Sequence, residues 1–247
     1  MVPPDSATTD DRLLDGRVHI RQPVAGYRVA VDPVLLAAAV PAKAGQLVLD
    51  AGCGTGAAMF CLAARVPGVK LTGLEVQPSL AAHALAGIAL NGLQDTARIV
   101  TGDIARDVPG PFDPKLFDIV MTNPPFGESG TPPPDDSLAR AHMEGEVDLP
   151  GWIMHCLAAL KPKGRLVMIH RADRLSDILA ALSGRAGDIR IRPIHAKVGQ
   201  PARRVIVDAG LGRRTPDTLL PALVLHEGDG AYTAAADAVL RGAGALL

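Results

Sequence analysis

The chain predicts an α/β fold in which a parallel sheet carries helices on both faces. Three observations point to it. From residue 47 to residue 182, short apolar runs alternate with longer segments of helical periodicity, the pattern of strands joined by helical crossovers. The first strong apolar run, Leu47-Val48-Leu49, leads into a glycine-rich turn, Asp50-Ala51-Gly52-Cys53-Gly54-Thr55-Gly56. A later run, residues 116–121, leads into Asn123-Pro124-Pro125-Phe126, and open α/β sheets gather their ligands at the carboxyl ends of strands.

The elements follow in order. Residues 1–11 are polar and acidic and are expected to form a disordered tail, leaving residues 12–247 as a single domain. Residues 17–20 and 27–30 alternate and read as a hairpin or two edge strands. Asp32 caps a helix with Pro33 at its first position. After the strand at 47–50 and the glycine turn, a helix is expected over 55–66, then a strand over 70–75. Pro78 opens an alanine-rich helix that Asn91-Gly92 ends by a left-handed stop. Strands are expected at 97–100 and 116–121. Residues 127–148 form a long polar loop with three consecutive prolines, and a loop of that length inside a compact domain usually serves function. A helix over 149–160 carries Trp152, read here as a core residue. The remainder holds a strand at 165–169, a helix over 173–182, strands at 188–192, 203–208 and 223–226, and a helix over 233–240.

The two motifs suggest chemistry. Gly52, Gly54 and Gly56 let the backbone turn tightly and approach a ligand. Dinucleotide sites favour G-x-G-x-x-G, because a pyrophosphate needs the helix N-terminus. Here the spacing is G-x-G-x-G led by Asp50, and a carboxylate suits a cationic or amine-bearing ligand. Glu75, at the end of the next strand, is placed to accept hydrogen bonds from both hydroxyls of a ribose. Asp103 follows the third strand and can accept from an adenine amino group, with the Ile104 N–H facing the ring. Gly102-Asp103 is also ordinary turn chemistry.

An amine on an aromatic ring is a poor nucleophile, because its lone pair is delocalised. Two acceptors at its hydrogens polarise it and free the lone pair. The Asn123 side-chain oxygen and the Pro124 carbonyl can be those acceptors, on a backbone that the prolines stiffen. Phe126 offers a flat face for stacking. Prepositioned acceptors of this kind stabilise a transition state. The plainer alternative is a proline-rich turn ended by a core Phe.

In this order the glycine turn and Asn-Pro-Pro-Phe resemble the Rossmann-like methyltransferases that modify adenine N6, cytosine N4 or glutamine N5. The resemblance implies a class I methyltransferase fold: a mostly parallel seven-stranded sheet with an antiparallel final strand, behind a small N-terminal hairpin and helix. It implies S-adenosyl-L-methionine as cofactor, held by Asp50, Gly52, Gly54, Gly56, Glu75, Asp103, Ile104 and Asn123. Asn123, Pro124, Pro125 and Phe126 would be the catalytic residues. Three further segments make the whole chain similar to the bacterial valine-tRNA adenine-N6 methyltransferases. They are residues 26–37 (GYRVAVDPVLLA), Arg140-Ala141-His142-Met143-Glu144 with Trp152 beyond it, and residues 226–233 (HEGDGAYT). That family implies methylation of an adenosine beside the anticodon, a tRNA partner and a cytoplasmic location. Phe126, Arg28, His142, Arg203 and Arg204 are then the expected substrate contacts. Tyr27 reads as packing. His142 reads as a contact and not a base, since the methylated ammonium product loses its proton to water unaided.

Two rivals differ in class. A protein glutamine-N5 methyltransferase uses the same motif logic but, as a family, carries a helical N-terminal domain and usually Tyr in place of Phe126. A non-catalytic cofactor-binding scaffold has no need of Asn123 and Pro124 as acceptors. A DNA adenine methyltransferase needs a recognition domain for which few residues are spare.

Composition narrows the rest. With 48% hydrophobic residues a full core is attainable, built from small aliphatics because aromatics are only 3%. The three cysteines are widely spaced, so no metal site and no disulfide framework is expected. No signal peptide or membrane-spanning run is recognisable. Net charge is −1, yet residues 161–214 carry 13 Lys/Arg against 4 Asp/Glu. The stretch is either a phosphate-binding face or a set of solvated arginines. The oligomeric state is left open, and a monomer is compatible with the sequence.

Overall fold

The computed structural model describes residues 8–24, 29–107, 116–124 and 147–246. β1 (Thr8–Leu13) and β2 (Val18–Pro23) form a separate antiparallel hairpin, with Leu13 opposite Val18. This corrects two expectations. Residues 8–11 belong to the hairpin and not to a disordered tail, and the hairpin lies earlier in the chain than residues 17–30. The turn forms because Leu14, Asp15 and Gly16 all take positive φ, which reverses the chain within a few residues. The polar β1 is held by the partner strand: the Gln22 amide donates to Asp11 at 2.6 Å. Val18 and Ile20 are buried. The Asn91 side chain accepts from the His19 N–H at 2.9 Å and donates to the His19 carbonyl at 2.7 Å, tying the hairpin to the main body.

The main sheet runs β5 (Ala97–Thr101), β4 (Lys70–Glu75), β3 (Leu47–Ala51), β6 (Phe117–Thr122), β7 (Leu160–Arg171), β9 (Ala202–Leu211), β8 (Ala186–Lys197). The first five are parallel, and β9 is antiparallel to both β7 and β8. These seven, together with a strand at 223–226, are the strands expected from the sequence. β10 (Thr218–Leu219) and β11 (Leu223–His226) also pair with β8, so the sheet has nine strands. β10 is too short for alternation to reveal it.

Seven α-helices and one 3-10 turn (Ala172–Arg174) complete the described residues: α1 (Asp32–Ala39), α2 (Ala57–Arg65), α3 (Pro78–Leu90), α4 (Ile104–Asp107), α5 (Leu149–Ala159), α6 (Leu175–Leu182) and α7 (Ala234–Leu240). Alternate strand residues feed two cores. Val48, Met121 and Val167 join Leu35, Met59 and Ile88 on one face. Leu49, Val120 and Leu166 join Ile153, Cys156 and Ile178 on the other. Asp32 is not the cap of α1 but its first residue, after Val31. Its carboxylate instead accepts from the Arg204 guanidinium at 2.9 Å. Among the described residues no helix is long and apolar enough to cross a membrane.

Away from the ligand end, Arg165 locks the three outer strands together. Its guanidinium donates to Asp208 at 2.6 Å and to Asp188 at 2.7 Å, and its side chain is only 12% exposed. Arg165 holds the Asp188 carboxyl below its ordinary range, whereas burial pushes Asp208 up. Replacing Arg165 by Met removes the cation and leaves the buried Asp208 without its ion-pair partner, while Asp188 keeps only the longer approaches of Arg190 and Arg213. Urea unfolding is expected to show a loss of about 3–5 kcal/mol. A loss below about 1 kcal/mol would place the pair among ordinary surface contacts.

Candidate active site

Strand register sets the geometry of the carboxyl edge. Ala51 pairs with Leu74 on one side and with Thr122 on the other. The next residues, Gly52, Glu75 and Asn123, therefore stand in a row across three adjacent strands. Glu75 and Asn123 are two strand spacings apart, about 10 Å.

The glycine turn between β3 and α2 is fastened to β4. The N–H groups of Gly52 and Cys53 both donate to the Leu74 carbonyl, at 2.9 and 3.0 Å, and the Gly54 N–H donates to the Glu75 carboxylate at 2.8 Å. Gly52, Gly54 and Gly56 have φ of 72°, 57° and 89°, the left-handed region where a side chain is strained. A Cβ on Gly56 would come within 2.6 Å of the Phe60 ring. A Cβ on Gly52 would come within 3.2 Å of Trp152.

Beneath the turn Asp50 is 2% exposed, and one of its carboxylate oxygens has no partner. Burial pushes its pKa up to about 7, although an N–H from Met59 opposes the shift and the Glu75 charge adds to it. Glu75 is 5% exposed. It too is raised by burial, against N–H donors from Gln77, Gly54 and Val76. Thr55 keeps a buried hydroxyl without a partner. Asp103 accepts from the Ala105 N–H at 2.9 Å and so caps α4, whose first residue, Ile104, is buried.

At the end of β6, Thr122 is fully buried and donates to the Ala51 carbonyl at 2.8 Å. The Trp152 indole N–H donates to the same hydroxyl at 3.0 Å. Trp152 thereby ties β3, β6 and α5 together directly below Asn123. The Asn123 side-chain oxygen is buried without a partner, and Pro124 is buried after it.

The edge thus brings together Asp50, the three glycines, Glu75, Asn123 and Pro124, with Asp103 and Ile104 one strand beyond. Pro125, Phe126, Arg28 and His142 lie outside the described residues. Arg203 and Arg204 open β9, which is antiparallel, so they reach the same end of the sheet; Arg204 stands opposite Arg171. Arg204 is engaged with Asp32, whereas Arg203 is exposed. Sequence reasoning read Trp152 as core and missed its bond to Thr122. The available signal was that a lone tryptophan with an N–H to satisfy seldom sits fully buried without a polar partner.

Comparison with known proteins gives a consistent picture. The methyltransferase small domain family matches residues 28–184. A tRNA1(Val) (adenine(37)-N6)-methyltransferase of Porphyromonas gingivalis is 31% identical, over 88% of this chain and 88% of its own. The protein of the same name from Yersinia pestis is 27% identical, over 83% and 82%. The crystal structure of a predicted O-methyltransferase from Agrobacterium tumefaciens aligns with a TM-score of 0.72 and 26% identity, over 87% of this chain and 97% of that one.

The raised Asp50 carboxyl has a consequence for the ligand-free protein. The folded chain keeps a proton that the unfolded chain releases above the ordinary value of 3.8. Stability therefore falls as pH rises through the window up to about 7, and the penalty is complete above it. Asp50→Asn keeps an acceptor for the Met59 N–H but removes the charge. Without ligand it is expected to exceed the parent by roughly 2–4 kcal/mol at alkaline pH, with the gap closing toward acid pH. Urea unfolding of both proteins across this range checks it; parallel pH profiles would contradict it.

Proposed function

Because the chain belongs to the methyltransferase small domain family, and within it to the bacterial tRNA1(Val) (adenine(37)-N6)-methyltransferases, we propose that it methylates N6 of an adenine in the anticodon loop of a tRNA. S-adenosyl-L-methionine is the cofactor, and when bound it supplies an electrophilic methyl group beside a sulfonium and an ammonium. The chain's residues fit that group. Asp50, Thr55 and Asn123 each keep a buried oxygen without a partner, around a turn that glycines keep open. Buried acceptors without donors are uncommon, and such atoms suit a ligand that brings donors or positive charge.

The observation that carries the reading to particular atoms is the buried, partnerless oxygen of Asn123. It and the Pro124 carbonyl accept from the two hydrogens of the target amine, and Phe126 stacks on the base. Trp152 and Thr122 hold the strand from which Asn123 projects. Asp50 and Glu75 hold the cofactor's polar groups, with Glu75 also bracing the Gly54 N–H. Asp103 and Ile104 face its adenine. Arg28, His142, Arg203 and Arg204 contact RNA. The hairpin and the sheet act as one catalytic domain. A tRNA-modifying enzyme of this kind works in the cytoplasm.

Two variants test the assignment. Asn123→Ala should lower turnover by at least 100-fold while cofactor affinity by calorimetry stays near the parent's, because the acceptor acts mainly in the transition state. Near-parental turnover would make the motif structural. Glu75→Ala should weaken cofactor binding by about 1–3 kcal/mol, and an unchanged affinity would remove Glu75 from the site. The substrate is tested by methyl transfer from labelled cofactor to unmodified total tRNA, with peptide release factor as the control acceptor. Label on N6-methyladenosine is the expected result. Label on glutamine alone would replace this reading by the protein-methylating one.

A further inference from the structure

β11 runs parallel to β8, with His226 directly opposite Lys197. Since β8 and β7 are both antiparallel to β9, β8 and β11 end on the same side of the sheet as β6. Beyond His226 a tight turn returns the chain: the Glu227 N–H donates to the Ala231 carbonyl at 2.8 Å. The turn lays Tyr232 on His226, with ring centroids 4.7 Å apart and planes 24° from parallel. His226 Nδ1 meets the Gly230 carbonyl at 3.0 Å, which fixes its ring. Tyr232 remains 43% exposed. A stacked aromatic pair is thus held rigid with part of its surface open to solvent.

Two cations share this edge of the sheet: Lys197 stands opposite His226, and Arg203 lies on β9, two strand spacings (about 10 Å) from β11. Lys197 and Arg203 are exposed at the tip joining β8 and β9, and among the described residues no carboxylate pairs with either. Neighbouring arginines differ: Arg204 is bonded to Asp32, Arg171 to Asp173 and Arg174 to Asp177. Glu227 and Asp229 are exposed on the turn itself, and the Asp229 carboxylate accepts from the Ala231 N–H at 2.9 Å. The charges therefore direct a polyanion's backbone toward Lys197 and Arg203 and away from the turn's tip. β11 stands four strand spacings from β6, about 19 Å, a distance that several nucleotides of the same loop can span.

We propose that this rim is a second RNA subsite, in which Tyr232, backed by His226, stacks on an unpaired base of the same loop several nucleotides from the target and Lys197 and Arg203 take the adjoining phosphates. It rests on the reading that the substrate is RNA. An aromatic face binds any base, and the two cations add affinity without reading sequence. The rim then sets which unpaired nucleotide reaches Asn123 by fixing the loop several nucleotides away.

The test uses the full chain, a fluorescein-labelled unmodified anticodon stem-loop and anisotropy titration at several salt concentrations. Tyr232→Ala is expected to weaken RNA binding about tenfold or more, and Tyr232→Phe to retain it. Replacing Lys197 and Arg203 together by Met should lower the slope of log affinity against log salt by roughly 1.5. Melting temperature and cofactor affinity should stay at parental values in all three. If the parent methylates RNA and these variants bind it equally well, the rim is overturned while the proposed function stands. Equal losses in Tyr232→Phe and Tyr232→Ala would assign the effect to the hydroxyl and overturn stacking. If the parent neither binds nor methylates RNA, the proposed function falls and the rim falls with it.

Discussion

Two amide groups, from Gly52 and Cys53, converge on the single carbonyl of Leu74. That fork turns the chain sharply out of β3 while leaving it attached to β4. Everything at the carboxyl edge depends on it. It places the Gly54 N–H on Glu75 and lets α2 begin at once from Gly56. It also closes the turn over Asp50. Side chains at Gly52 and Gly56 would strike Trp152 and Phe60, so the turn is confined from both faces of the sheet. The same contact makes Trp152 the link between the turn and the strand carrying Asn123.

The price of this arrangement is borne by polar groups. Asp50 and Glu75 are both deeply buried, and their like charges oppose each other. Oxygens of Asp50, Thr55 and Asn123 lack donors. Each such group costs free energy in the ligand-free fold. A ligand that supplies donors and positive charge removes these costs in one step, so binding and folding stability are coupled at this edge. The apolar layers on both faces are complete enough to tolerate the strain, with Val48, Val120, Met121 and Val167 fully buried in the strands beneath.

The central strands and the motifs were legible in the sequence because each rule concerns neighbours along the chain. Apolar runs bounded by glycine or proline marked β3, β4 and β6, and Pro78 and Asn91-Gly92 bounded α3. The failures share another cause. β1 reads as a polar tail because its partners, Gln22 and Arg21, lie across a turn in which Leu14 and Asp15, as well as Gly16, take positive φ. Asp32 has the residue type of a cap but serves Arg204, far away in sequence. Trp152 has the residue type of a core and also satisfies Thr122. In each case a long-range polar contact decided the role, and no local pattern encodes such a contact.

The basic segment shows the same lesson in its charges. As a string, residues 161–214 look like a polyanion-binding block. In three dimensions most of its cations are spoken for. Lys161 pairs with Asp118, Arg165 with Asp188 and Asp208, Arg174 with Asp177, and Arg204 with Asp32. Arg190 and Arg213 also approach Asp188. These arginines join strands and helices of the outer sheet, and some bridge to acidic residues from the other half of the chain. The imbalance of charge along the sequence is thus largely an assembly device. Cations left over at the carboxyl edge are available to a polyanion by their position, a mode of recognition open to a chain whose net charge is −1. The buried half-sheet from β5 to β6 carries the partnerless acceptors, and the antiparallel outer half carries the exposed cations. Ligands of opposite charge character can therefore meet along one edge without competing for the same residues.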